Sequence, residues 1–203
     1  MIGGGNLKEY LWLPIILGLG ILVVLITVYL NYLKKLLKSQ NQFFQDQVKK
    51  RNGNLSKGVP FGFQFLYQNI PIKIYILGGS FILEAQYALS EYPSVLIIKQ
   101  YPLSRFLNYS PGKKRVLFNS LFDQVYSIQG KDEAWMCNVF SEQIQQNMLK
   151  SNIGRLSIKR EILRVQFVVL RLKDMEKINH SIDVCLEVFS SILESDNKRD
   201  ATL

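Results

Sequence analysis

YLWLPIILGLGILVVLITVYLNYL, residues 10–33, is a run of 24 residues without a charge. At a helical rise of ~1.5 Å per residue it spans about 36 Å, enough to cross a ~30 Å hydrocarbon core with some tilt. Lipid offers no partner to backbone N–H and C=O groups, so such a segment satisfies them internally, as a helix. Pro14 falls in the first turn, where its missing N–H leaves no bond unmade. Tyr10 and Trp12 mark one interface, and Tyr29 and Tyr32 the other. A cleaved signal peptide has a shorter apolar core and a small-residue cleavage site. Here the first alanine is Ala85 and the first cysteine Cys137. The segment therefore reads as a transmembrane helix.

Its flanks are unequal. Residues 1–9 form a short tail with three glycines and one lysine, Lys8. Residues 34–57 carry Lys34, Lys35, Lys38, Lys49, Lys50, Arg51 and Lys57 against Asp46, a net of +6 out of +9 for the whole chain. The basic balance is thus juxtamembrane, and it argues against a nucleic-acid-binding face on the rest of the chain. Lysines after the helix predict an N-out, C-in orientation, with the following domain cytoplasmic at the cell inner membrane. Leu33, Leu37, Phe44 and Val48 recur at helical spacing, so residues 34–57 read as a basic amphipathic neck and linker. Lys34, Lys35, Lys38, Lys49, Lys50 and Arg51 are its candidate contacts to anionic lipid headgroups, each contributing ~1 kcal/mol if close to the surface. Self-association through the neck, giving a homo-oligomer, is the alternative. Asn52-Gly53-Asn54 should break the helix.

Beyond it the period changes to two. Phe61, Phe63 and Phe65 alternate with Gly62, Gln64 and Leu66, and Ile72, Ile74 and Ile76 with Lys73, Tyr75 and Leu77. Asn69 with Pro71, and Gly78-Gly79, mark turns. Phe81–Leu89 and the apolar run Val95–Ile98 read as strands, as do Val116–Phe118 and Val125–Ile128. Residues 100–114 read as a surface loop leading into Lys113, Lys114 and Arg115, a candidate interaction cluster. Asp132 and Ser141 are placed to cap two short helices, through Phe140 and Lys150, and Gly154 to end that stretch. Two alternating strands with a hairpin at residues 159–161 follow. Asp174 then starts the clearest helix: Met175, Ile178, Ile182, Cys185, Leu186, Phe189 and Leu193 make one apolar stripe. The expected fold is α+β: a single small domain over residues 58–194, with a mainly antiparallel sheet and a long C-terminal helix. Residues 195–203 read as a disordered polar tail.

Chemistry is sparse. The one histidine, His180, falls on the polar side of the last helix. One histidine and two distant cysteines, Cys137 and Cys185, supply neither a familiar zinc set nor a nucleophile–base pair. Both cysteines sit among apolar residues and are expected to be buried free thiols. Phosphate-loop, dinucleotide and calcium-loop patterns are absent from the sequence. No catalytic residue, cofactor or metal ligand is assigned, and an enzyme is not expected.

Phe122-Asp123, Val125-Tyr126 and Gly130 with Asp132, followed by a helix pair, a hairpin and a long helix, form one further pattern. It resembles uncharacterised bacterial membrane-anchored proteins with a Gly-Asp-x-x-Phe-Asp-x-x-Phe segment before such a helix pair. The resemblance covers residues 60–193, with Asn119-Ser120 standing where that pattern has Gly-Asp, and it implies no activity. Asp123 is the residue it singles out. Its expected role is structural, accepting from backbone N–H groups at a strand start. The functional expectation is a single-pass, non-enzymatic accessory or scaffold protein whose domain binds another membrane or cytoplasmic protein. A lipid- or ligand-responsive module at the membrane surface is the alternative.

Overall fold

A computed structural model describes residues 12–56, 60–78, 80–87, 94–100, 120–130, 132–159, 161–167 and 174–200, with no side-chain description at 13, 174–176 and 197–200. Tyr10, the tail 1–9, the expected strand Val116–Phe118, the capping side chain of Asp174 and the stripe residue Met175 lie outside the described residues, as do 201–203. The chain forms two compact units, residues 1–42 and 43–203.

The described part of the first unit is helical. Helix α1 runs Trp12–Arg51 without interruption and carries the apolar segment. It is long and apolar enough to cross a membrane, and none of that window is buried within the protein. Large apolar side chains from Trp12 to Leu30 are exposed, as a segment able to cross a membrane would have them.

The second unit begins inside the same helix. Phe43, Phe44 and Gln47 are buried and Val48 is partly so. This corrects the neck reading and the domain boundary at residue 58: the last turns of α1 are core. Phe44 packs its ring against Phe43, Phe61, Phe63 and Phe81 at 5.2–5.8 Å between centroids. Helix α1 ends where the Asn-Gly-Asn signal lies. Asn52 takes a left-handed φ of 49°, and Gly53 N–H donates to Val48 O at 3.0 Å, the six-to-one bond of a Schellman cap.

Among the described residues eight strands follow: β1 Asn54–Ser56, β2 Gly62–Tyr67, β3 Ile70–Leu77, β4 Ser80–Gln86, β5 Val95–Lys99, β6 Tyr126–Gln129, β7 Ile153–Lys159 and β8 Ile162–Phe167. Helices α2 Ser120–Val125, α3 Glu133–Val139, α4 Glu142–Lys150 and α5 Asp174–Asp200 complete the unit. The sheet order is β1-β2-β3-β4-β8-β7-β5-β6, antiparallel throughout. The α+β expectation thus holds, with β8 inserted beside β4 so that the hairpin β7–β8 joins the two outer groups of strands.

Register turns the period-two sequence into a face. Phe63, Ile74, Leu83, Val165, Leu156, Ile97 and Ile128 stand opposite one another in turn, one apolar row across seven strands. All seven belong to the core cluster, together with the buried apolar residues of α1, α2, α3, α4 and α5. A register slip of one residue on any strand would break the row.

The caps at Asp132 and Ser141 form as expected: Asp132 Oδ1 accepts from Trp135 N at 2.9 Å and Ser141 Oγ from Ile144 N at 3.4 Å. Several local readings change. The β2–β3 turn is Gln68-Asn69, both with φ > 0, and Pro71 sits in the strand, beyond the stretch of β3 that pairs with β4, where its missing N–H costs no ladder bond. Asn54–Ser56 is an edge strand rather than linker. Residues 120–124, read without an element, are helix α2. Gly154 ends no helix but lies in β7, at the register shift between Ile153 and Arg155. Helix α5 continues to Asp200, through much of the expected tail; charged and polar residues propagate a helix once it is nucleated. Cys137 is exposed, contrary to expectation, because α3 turns Trp135, Met136 and Val139 inward instead. Cys185 is buried as expected. Burial pushes its thiol pKa well up, with Asp183 adding to the shift. The buried thiol is favoured protonated, so its contribution to stability declines as pH rises through the ordinary thiol range.

Candidate binding surface on the open sheet face

Alternation places a second set of side chains on the opposite face. One row reads Gln64, Lys73, Glu84, Arg164, Ser157, Leu96 and Gln129; the next reads Tyr75, Ile82, Gln166, Arg155, Ile98 and Ser127. The buried apolar side chains of the five helices all join the cluster on the first face, so among the described residues no helix packs on this one. Ile82 shows the division: it is buried, yet stands outside the core cluster.

Glu84 organises the middle of the face. Its Oε2 accepts from Arg164 Nη2 at 2.9 Å, from Arg164 Nε at 3.2 Å and from Tyr75 OH at 3.0 Å. Tyr75 is held above the ordinary phenol pKa, first by burial, then by its hydrogen bond and charge interaction with Glu84, with Arg164 opposing. It therefore remains a donor. Gln166 Nε2 donates to Ser80 Oγ at 3.1 Å. Three concavities lie along the face. One, about 890 Å³, is bordered by Leu96, Arg155, Ser157, Lys159, Ile162 and Arg164 among others. A smaller one of about 240 Å³ is lined by Ile82, Arg155, Ser157, Arg164 and Gln166. The third, about 480 Å³, lies toward β1–β3 and includes Lys73, Tyr75, Leu77 and Glu84. Leu66 and Leu77, by register on this same face, are 69% and 57% exposed.

The residues singled out by sequence are distributed elsewhere. Lys34, Lys35 and Lys38 are exposed on the first unit's helix. Lys49 and Lys50 are exposed on the part of α1 that belongs to the domain. Arg51 is not a free surface cation: its side chain is 11% exposed, it lies 5.3 Å over the Phe65 ring, and it donates to Gln47 and Asp183. Its guanidinium fastens α1 to α5. Gln47 does the same, donating to Asn179 Oδ1 at 2.6 Å. Lys113, Lys114 and Arg115 lie outside the described residues. Asp123 is buried, but on helix α2 and three residues ahead of β6, rather than at a strand start. His180 is exposed on α5. No group of three or more His, Cys, Asp or Glu side chains comes together among the described residues.

The open face went unrecognised because its members are the outward halves of ordinary alternating strands. Lys73, Glu84, Arg155 and Arg164 lie on four strands, the first and the last 91 positions apart in the sequence, and only strand order joins them.

No family model matches the sequence, and no curated protein matches it. The fold is similar to a solved structure, the crystal structure of the mycobacterial trehalose monomycolate transport factor A, TtfA. The TM-score is 0.52 at 6% identity, over 76% of this chain and 94% of that chain. Similarity at that identity concerns the fold.

Proposed function

We propose that this protein is a single-pass, membrane-anchored accessory factor without catalytic activity, whose domain docks another membrane or cytoplasmic protein through the β2–β4 end of the open sheet face. The observation that carries the reading is the concavity at Lys73 and Tyr75, lined at one side by exposed Leu77, with exposed Leu66 opposite Pro71 toward the other end of β3 on the same face. Apolar anchors in a partly polar rim are the usual anatomy of a protein–protein contact. The similar solved structure is titled a transport factor, and an accessory role for this chain accords with it. Affinity purification of the full chain from a detergent extract tests the docking. A stoichiometric partner should co-purify, and Leu66→Asp with Leu77→Asp should remove it without altering the thermal melt. Retention of the partner by the double variant would place docking elsewhere.

In this reading the N-terminus is outside and the domain cytoplasmic, at the inner membrane of a bacterial cell. Lys34, Lys35 and Lys38 then stand at the inner headgroups, where each is attracted by anionic lipid. A reporter fused after Leu203 should be active only on the cytoplasmic side; activity outside would reverse the topology.

A further inference from the structure

The other half of the open face, formed by β4, β8, β7 and β5, carries a different chemistry. Arg155 of β7 is exposed, and among the described residues no carboxylate comes within ion-pair distance of it. Arg164, its neighbour across the cavity, is neutralised by Glu84 at 2.9 Å and fixed there by two hydrogen bonds. At the rim Lys159 and Glu161 balance each other in formal charge. Among the described residues the centre is therefore left with one uncompensated guanidinium, next to Ser157 and over the buried side chain of Ile82. Directly across the β7–β5 ladder from Ser157 and Arg155 stand Leu96 and Ile98, both half-buried, and Ile162 borders the larger groove. One unpaired cation with an apolar strip beside it complements a ligand with one negative charge and an apolar chain.

We propose that this groove binds a single molecule of a monoanionic amphiphile, its carboxylate or phosphodiester head on Arg155 and its chain along Leu96 and Ile98. Arg155 presents a planar fork of donors that takes two oxygens of such a head at once. Arg164, already held by Glu84, positions the wall of the cavity rather than the charge. The site does not depend on the docking proposed at the β2–β4 end, since Leu66 and Leu77 are not part of it, and either reading can fail alone.

The test uses the full-length chain in nanodiscs of zwitterionic lipid, with dansyl-labelled undecanoate as the probe and empty nanodiscs as the blank. Saturable fluorescence enhancement is expected, competed by unlabelled decanoate and not by acetate or inorganic phosphate at equal concentration. Arg155→Ala should weaken binding at least tenfold with an unchanged melt, Arg155→Lys should restore part of it, and Lys73→Ala, at the other end of the face, should leave it intact. Leu96→Asp should also weaken it, through the chain. Equal binding by Arg155→Ala would overturn the proposal. Competition by phosphate as effective as that by decanoate would overturn it too, by revealing a bare oxyanion site. Binding seen only when the nanodisc lipid is itself anionic would reduce it to contact with a membrane surface.

Discussion

Removing residues 1–57 should abolish cooperative folding, whereas removing residues 1–41 should leave a domain that melts in one transition. The two chains differ by the last turns of α1 and by β1. The shorter one lacks Phe43 and Phe44, both buried, and partly buried Val48. Each fully buried side chain of this size contributes about 1.5–3 kcal/mol. It also lacks the bonds from Gln47 to Asn179 and from Arg51 to Asp183, leaving Asn179 on α5 without that partner. Phe63 and Phe81 would lose the ring they enclose, and β2 its edge neighbour. Together these losses are comparable with the ~5–15 kcal/mol that holds a domain of this size folded. Circular dichroism on heating checks the outcome. A cooperative melt from both chains, with similar midpoints, would mean that the end of α1 is an ornament on a self-sufficient sheet.

Phe189→Ala should lower stability by ~3–5 kcal/mol, through lost burial and the cavity left behind. Phe189 is 1% exposed, in the middle of α5. Its ring lies 5.0 Å from that of Tyr87 and 6.4 Å from that of Tyr67, so neither sheet nor helix can close the gap without moving the other. Helix α5 is held from several sides: Ser191 donates to Val139 O at 3.0 Å, Asn147 to Glu187 at 2.9 Å, and Ser190 shares a 2.8 Å bond with Tyr67. A shift that filled the cavity would strain these bonds. His180→Ala, at an exposed position of the same helix, should change stability by less than ~0.5 kcal/mol. Chemical denaturation of the two variants compares them. Equal and small effects would show that the stripe of α5 is not packed.

The apolar stripe of α5 was legible because period 3.6 is a local property. The helix buries more than the stripe predicts, though: Val184, Val188 and Ile192 are buried as well. A helix facing a sheet on one side and α3 and α4 on another needs a wider apolar face than one lying on a single surface. The open sheet face was hidden for the opposite reason. Its cations sit at outward positions of alternating strands, where a solvated face is the ordinary reading.

Local spacing alone set the long apolar helix, the inward faces of β2, β3, β7 and β8, the two helix caps and the stripe of the final helix. Each of these rests on spacing within one continuous segment, where chain connectivity alone sets geometry. Folding in three dimensions was needed to place β8 between β4 and β7, to bring Arg155 and Arg164 to one cavity, and to make the end of the neck part of the core. Phe43 and Phe44 read alike whether the surface covering them is a lipid headgroup layer or a sheet. What distinguishes the two is the ring of Phe61, Phe63 and Phe81, which register brings to them from strands that come later in the chain.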